Sequence, residues 1–366
     1  MKKFLFSFFI LLFINSHLIV AQPIEFMQFK GQHENEYYFL NFQFIGDQIE
    51  VIVFIVPLDS KPGNSSYFKL KGKSDKDNFV TLQSDGEQLV SYVGKWSNEQ
   101  FQGIFSPSKN NSFQLDCDRI QIENTIRFER VYRNASQKLL PKDKNSPEAI
   151  IEMNLTLPIK NQERNYVQPY SNFYGWAAID SLPSVSFEDH MRLSMAEFLT
   201  QYSQMSTIEG EKGPSFQWIK SMDGNVLWMY QRFVSHEKQT YVFTGGAHGM
   251  QHFSLGIFDS DSTCFLTSEN IFEVDTSDEL SALLTMTLKK QLGKDENHSL
   301  VSDGYFMEII PVAENFCITP AGFLFHYNSY EIAPYSFGHT EIILPYDLVT
   351  SLLQPWLKEF LVNNKY

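Results

Sequence analysis

The chain is short of cysteine, of basic residues and of long apolar runs, and each shortage removes a class of function. Its three cysteines, Cys117, Cys264 and Cys317, allow one internal disulfide at most. None stand at CxxC spacing, which excludes zinc ribbons and thioredoxin-like chemistry. Three free buried thiols is the expected state; if a pair forms, Cys264 with Cys317 is favoured, because both fall in the second half. Basic residues number 29 against 43 acidic ones, a formal charge of −14, so nucleic acid and anionic lipid are poor partners. No GxSxG elbow and no phosphate-binding P-loop is present, so no nucleophile or nucleotide motif points to catalysis. The apolar run from Phe4 to Phe13, broken only by Ser7, is shorter than the roughly 20 residues that cross a bilayer.

That run follows Met1-Lys2-Lys3 and precedes Ile19-Val20-Ala21-Gln22. A basic start, a short apolar centre and a small residue at the cut predict a signal peptide over 1–21, cleaved after Ala21. The first cysteine is Cys117, so a thiol that would take a lipid anchor is missing. The expected location is periplasmic or secreted, without stable membrane insertion. Losing Lys2 and Lys3 with the leader leaves 27 basic against 43 acidic residues, a charge of −16. Such a field raises the encounter rate with cationic partners.

Past the leader, length and pattern predict two domains. Residues 22–135 read as short β-type runs punctuated by glycines from Gly31 to Gly103. Tyr67–Lys71 and Phe79–Gln83 suit half-exposed strands, and Ile49–Val56 suits a central one, which gives a small all-β meander, an open barrel or a sandwich. Residues 136–146 are polar, with Pro141 followed by charged residues, and read as a linker. Residues 147–366 read as an α+β layer domain of mixed sheet and helices. Glu148–Leu157 opens it as a strand. Ser186 caps a helix, with Asp189 three residues on and Phe187, Met191, Met195, Phe198, Leu199 and Tyr202 lining its buried stripe. Two runs, Ser215–Met222 and Val226–Val234, flank Asp223-Gly224-Asn225 as a hairpin. A second helix spans Thr276 to Leu292, capped by Thr276 with Glu279 and stopped at Gly293. A last helix starts near Pro345 and is kinked or ended by Pro355.

Two segments concentrate candidate function. Tyr241–Gly249 places Gly245, Gly246 and Gly249 around His248, where backbone can take positive φ and approach a partner closely. His248 reads as a proton shuttle, a ligand or a turn-fixing side chain. His252, four residues on, would join it in a zinc site only on a helix or with an acid such as Asp259, and the expected metal and cofactor content is none. Phe316–Tyr327 reads as a hairpin, and the loop after it holds Tyr330, Glu331, Tyr335 and His339, aromatics suited to binding.

Thr244–Gly249, Tyr330–Gly338 and Ile343-Leu344-Pro345-Tyr346 together resemble the extracytoplasmic C-terminal domain of RsiV-type anti-sigma factors. That domain, of the DUF3298/DUF4163 type, is also found beside the deacetylase PdaC, and the resemblance covers about 146–353. It implies an α+β fold and, from the RsiV member, lysozyme binding. No sigma-binding segment and no deacetylase metal motif accompanies it here. The function expected is an exported, non-catalytic binding module of the cell envelope, recognising a cationic protein such as lysozyme or a peptidoglycan fragment. The ligand-binding residues are expected to be Gly245, Gly246, His248, Tyr330, Glu331, Tyr335 and His339. Two other readings stand beside it: an envelope hydrolase using His248 with Glu331, and a structural protein whose first domain lends an edge strand to an assembly.

Overall fold

The computed structural model describes residues 17–18, 21–59, 61, 63–84, 89–123, 126–159, 165–176, 186–207 and 216–363. Most of the expected leader, 1–16 and 19–20, lies outside them, as does Ser215. Strand and helix make up about 47% and 22%, an α+β protein.

Eight antiparallel strands form an up-and-down barrel: β1 Gln22–His33, β2 Glu36–Ile45, β3 Gln48–Pro57, β4 Ser66–Ser74, β5 Phe79–Gln83, β6 Ser91–Trp96, β7 Gln100–Ser108 and β8 Asn111–Ile120. Each pairs with the next, and β1 returns to pair with β8 from Gln28↔Ile120 to Gly31↔Cys117. The barrel is thus closed, an outcome that local alternation does not reveal because it depends on pairing across some ninety residues. Gly31 sits at the seam, where an added Cβ would stand 2.6 Å from Cys117 Sγ and 2.7 Å from a backbone oxygen. Inward residues of every strand, Phe29, Leu40, Phe42, Val53, Leu70, Leu82, Tyr92, Phe101, Phe105 and Leu115 among them, fill the interior. An eight-stranded barrel is just wide enough for side chains alone.

A second sheet grows from the same strand. β9 Phe128–Lys138 pairs with the first residues of β1, Phe128↔Ile24, and with β10 Glu148–Pro158 along eleven positions. The stretch expected as a linker is the end of β9 and the turn of this hairpin, closed by Leu139 N–H donating to Pro147 O at 2.9 Å. Its polar composition marks an exposed turn, and turns and linkers share that chemistry. α1 Val167–Tyr174 and α2 Phe187–Gln204 follow. Then β11 Trp218–Tyr230 runs parallel to β10, and β12 Phe233–Phe243, β13 Met250–Asp259 and β14 Cys264–Leu266 complete the sheet.

Asp223-Gly224-Asn225 is not a turn. It lies inside β11, and the hairpin turns instead at Gln231, whose φ is +49°. Gly224 is required by proximity: a Cβ there would stand 2.2 Å from the Tyr174 hydroxyl.

α1 and α2 cover one face of this sheet, with Tyr170, Met191, Met195, Leu199 and Tyr202 in the core. The Ser186–Asp189 capping box is formed. The other face is covered by a small sheet, β15 Phe316–Thr319, β16 Gly322–Tyr327 and β17 Thr340–Leu344. α3 Ser268–Ile271 and α4 Ser277–Gln291 precede it, and α4 packs Leu280, Leu284 and Leu288 against it. Thr276 does not cap α4; its hydroxyl donates back to Glu273 O at 2.7 Å. Gly293 takes the positive φ expected of it. α5 Tyr346–Val349 follows Pro345, and Pro355 opens α6 Pro355–Asn363 as a first-turn residue rather than ending a helix.

The barrel docks on this second unit by its outer face. Phe39, Ile52 and Phe54 join the core around Trp228 and Phe233. β11 is bulged between Val226 and Trp228, and the side chains of two buried barrel residues meet the carbonyls there. Asn41 Nδ2 donates to Val226 O and Leu227 O at 3.1 and 3.2 Å, and Gln43 Nε2 to Val226 O at 2.8 Å.

Candidate functional site

The loop after β12 and the loop after β16 come together as the sequence anticipates. Gly245 and Gly246 have φ of +97° and +99°, so their need for glycine is conformational. They lead the chain to His248, whose ring stacks on Tyr335 at 4.1 Å and 22°. Tyr330 lies on from Tyr335, 5.8 Å between ring centres. The three rings form a row. Tyr335 Oη donates to Gly249 O at 3.1 Å, and His248 Nδ1 approaches the same carbonyl at 3.0 Å. Tyr330 is 53% exposed, and its φ of +72°, rare for a side chain of this size, is held by its N–H donating to Ala333 O. Phe337, 44% exposed, extends the apolar surface.

Glu331 belongs to the loop's framework. One carboxylate oxygen accepts from Asn328 N–H at 2.9 Å and the other from Asn328 Nδ2 at 3.3 Å. Asn328 in turn fastens Phe253, accepting from its N–H at 2.7 Å and donating to its carbonyl at 3.1 Å. No hydrogen bond joins His248 to Glu331 among the described residues, so the acid–base pair expected of a hydrolase is not assembled. Nor is the His248–His252–Asp259 zinc set. Asp259 stands seven residues beyond His252 on one extended strand, about 23 Å at 3.3 Å per residue, and is held by Arg232 and Ser262. Cys264 is exposed and all three thiols are free, so the Cys264–Cys317 pair does not form.

His339 stands apart from the row, at a junction that sequence reasoning missed. It stacks on His326 at 5.1 Å, and both rings contact Phe253 at 4.8 Å. His326 is fully buried, and its Nδ1 lies 3.1 Å from Glu341 Oε1, which also accepts from Tyr67 Oη of the barrel at 2.7 Å. Burial pushes the Glu341 carboxyl up, but the hydrogen bonds and charge of His326, with Tyr67, outweigh it and hold the group below its ordinary value. Burial lowers His339. Beside them Lys69 of β4 pairs with the buried Glu237 of β12. A lone histidine in the apolar run Phe323–Tyr327 was the one available signal for this cluster; Tyr67 and Glu341 carry none until the barrel docks.

Two hollows meet at this junction. A cleft of ≈ 690 Å³ runs between barrel strands β3 and β4 and strands β11 and β12, and a hollow of ≈ 430 Å³ lies along Tyr335–His339; they share Phe253 and His339.

Residues 269–347, from α3 to the start of α5, match the family described as "Protein of unknown function (DUF3298)". The chain carries a DUF3298 domain. That domain contains Tyr330, Glu331, Tyr335 and His339, together with His326 and Glu341, whereas Gly245, Gly246 and His248 lie before it. The crystal structure of a DUF3298 family member from Bacteroides fragilis is similar over 67% of this chain and 99% of its own, with a TM-score of 0.57 and 23% identity. This is a likeness of fold. A DUF3298 family protein from Pseudomonas aeruginosa PAO1 covers 64% of this chain and 97% of its own, at a TM-score of 0.43 and 17% identity. No curated protein matches the chain.

Proposed function

We propose that the protein is an exported, non-catalytic binding module of the cell envelope, periplasmic or secreted, that engages a cationic protein such as lysozyme through the row Tyr330, Tyr335 and His248. The observation that carries this reading is the combination of exposure and fixation in the row: large rings face solvent, yet Tyr335 and His248 are anchored on one carbonyl. Aromatic surface held rigid before binding loses little entropy on binding. The formal charge of −16 after loss of the leader favours a basic partner, and the resemblance to the RsiV-type extracytoplasmic domain points the same way. Catalysis through His248 and Glu331 has no geometry behind it, because Glu331 is committed to Asn328. Closure of the barrel gives every strand from β1 to β8 a neighbour on both sides over at least part of its length, which disfavours the edge-lending alternative.

Calorimetric titration with lysozyme and with muropeptides, at low and at moderate salt, tests the reading. Saturable binding to lysozyme that weakens with salt and is lost in Tyr335→Ala is expected. Silence with both ligands at both salt levels would overturn it, and binding of muropeptides alone would move the assignment to cell-wall glycan.

A further inference from the structure

The cleft between the barrel and the second sheet holds chemistry that the aromatic row does not use. We infer that its inner end is a separate binding site for an uncharged, polyhydroxylated ligand of mono- or disaccharide size. Gln43 sets the chemistry. Its side chain lines the cleft although the residue is only 1% exposed. Nε2 donates to the Val226 carbonyl at 2.8 Å, which fixes the orientation of the amide, since the oxygen cannot take that place. Oε1 is left as a buried acceptor with no donor from the protein. Buried polar atoms of folded proteins are almost always hydrogen-bonded, and a ligand hydroxyl supplies the donor that Oε1 lacks.

The surroundings select against an ion. Glu50 is held by Arg130 at 2.7 Å, and Asp223 lies under the influence of Arg130 and Lys71. Lys69 is paired with Glu237 and Glu341 with His326, so the charged side chains of the lining find their partners within the protein. Burial raises the Asp223 carboxyl above its ordinary value, in keeping with a site that disfavours uncompensated charge. Beside Gln43 the lining offers three more amides: Asn154, whose Nδ2 donates to Asp223 at 3.3 Å, Asn225, whose Oδ1 accepts from Arg130 at 3.0 Å, and Gln239. Amides both donate and accept, as hydroxyls do. Ile52, Tyr67 and Phe253 supply apolar surface for the C–H faces of a sugar ring. The volume of ≈ 690 Å³ lies inside the roughly 300–1,000 Å³ of small-molecule sites.

The test uses chitobiose and maltose as neutral probes, with putrescine and citrate as ionic ones, titrated into the mature protein and followed by calorimetry. At least one neutral disaccharide is expected to bind in preference to both ions. Gln239→Ala and Gln43→Met should each weaken it about tenfold, the loss of one good hydrogen bond. Thermal melting checks that each variant is folded, and Gln239→Ala decides the matter if Gln43→Met is not. Tyr335→Ala should leave sugar binding unchanged, which separates this site from the aromatic row. Failure of both sugars to bind, preference for putrescine or citrate, or an affinity indifferent to Gln239→Ala would each overturn the inference.

Discussion

His236 is an imidazole sealed from water, hydrogen-bonded through Nε2 to Tyr170 Oη at 2.7 Å. Burial takes it from its ordinary 6.5 down to about 3. Between those values the unfolded chain binds a proton that the folded chain refuses. The stability this neutral ring contributes is therefore full above pH 6.5 and is lost as pH falls toward 3, at about 1.4 kcal/mol per pH unit. Glu341, held low, adds its own loss only below its ordinary 4.5. Urea midpoints should consequently fall between pH 6.5 and 5, and His236→Gln should flatten that slope. Gly224 gives a second residue-scale outcome. Gly224→Ala drives a methyl into the buried Tyr174 hydroxyl, which donates to Thr156 O at 3.1 Å, and should cost about 1–3 kcal/mol in urea unfolding. At this scale the aromatic row was legible because Tyr330 and Tyr335 share one loop and His248 sits in a glycine-rich turn. Glu331 misled because a carboxylate's partner is decided by the turn that holds it, here the Asn328 amide and backbone. His326 and Glu341 face each other across the adjacent strands β16 and β17, but Tyr67 comes from the barrel, and no spacing announces its arrival.

Among the elements, β3 shows how a pattern is read correctly for a reason the pattern does not contain. Its near-continuous apolar run suggests a central strand, and both faces are indeed buried: Ile49, Val51, Val53 and Ile55 fill the barrel, while Ile52 and Phe54 face the second unit. β11 shows the reverse. Asp-Gly-Asn has strong turn chemistry, yet pairing of all three residues with β12, and of Asp223 with β10 as well, holds it extended. The bulge that follows depends on partners from the barrel. Asn41→Leu keeps the size of the side chain and removes its two hydrogen bonds to Val226 and Leu227 carbonyls. Val226 O keeps its bond from Gln43, so a loss of about 1–3 kcal/mol is expected from the Leu227 carbonyl left without Asn41, measured by urea unfolding, whereas a substitution at exposed Gln102 should be silent.

For the whole molecule, the α+β class and the order of an all-β unit before a mixed sheet-and-helix domain were accessible from alternation and capping, whereas the hydrogen-bonded continuity between the two was not. One hydrogen-bonded sheet runs from β14 through β9 into the barrel, and the barrel's outer aromatics share a core with the DUF3298 domain. A single calorimetric transition is expected on heating, and two resolved peaks would contradict that coupling. Residues 22–120 expressed alone should aggregate, because Phe39, Ile52 and Phe54 would then face water. The branching of β1 also orders events in time. Its first residues await β9 and its last await β8, so this strand cannot finish its pairing until more than a hundred later residues have followed it. Synthesis therefore leaves this strand open and waiting on distant, later-made partners for a prolonged interval before the ring can shut.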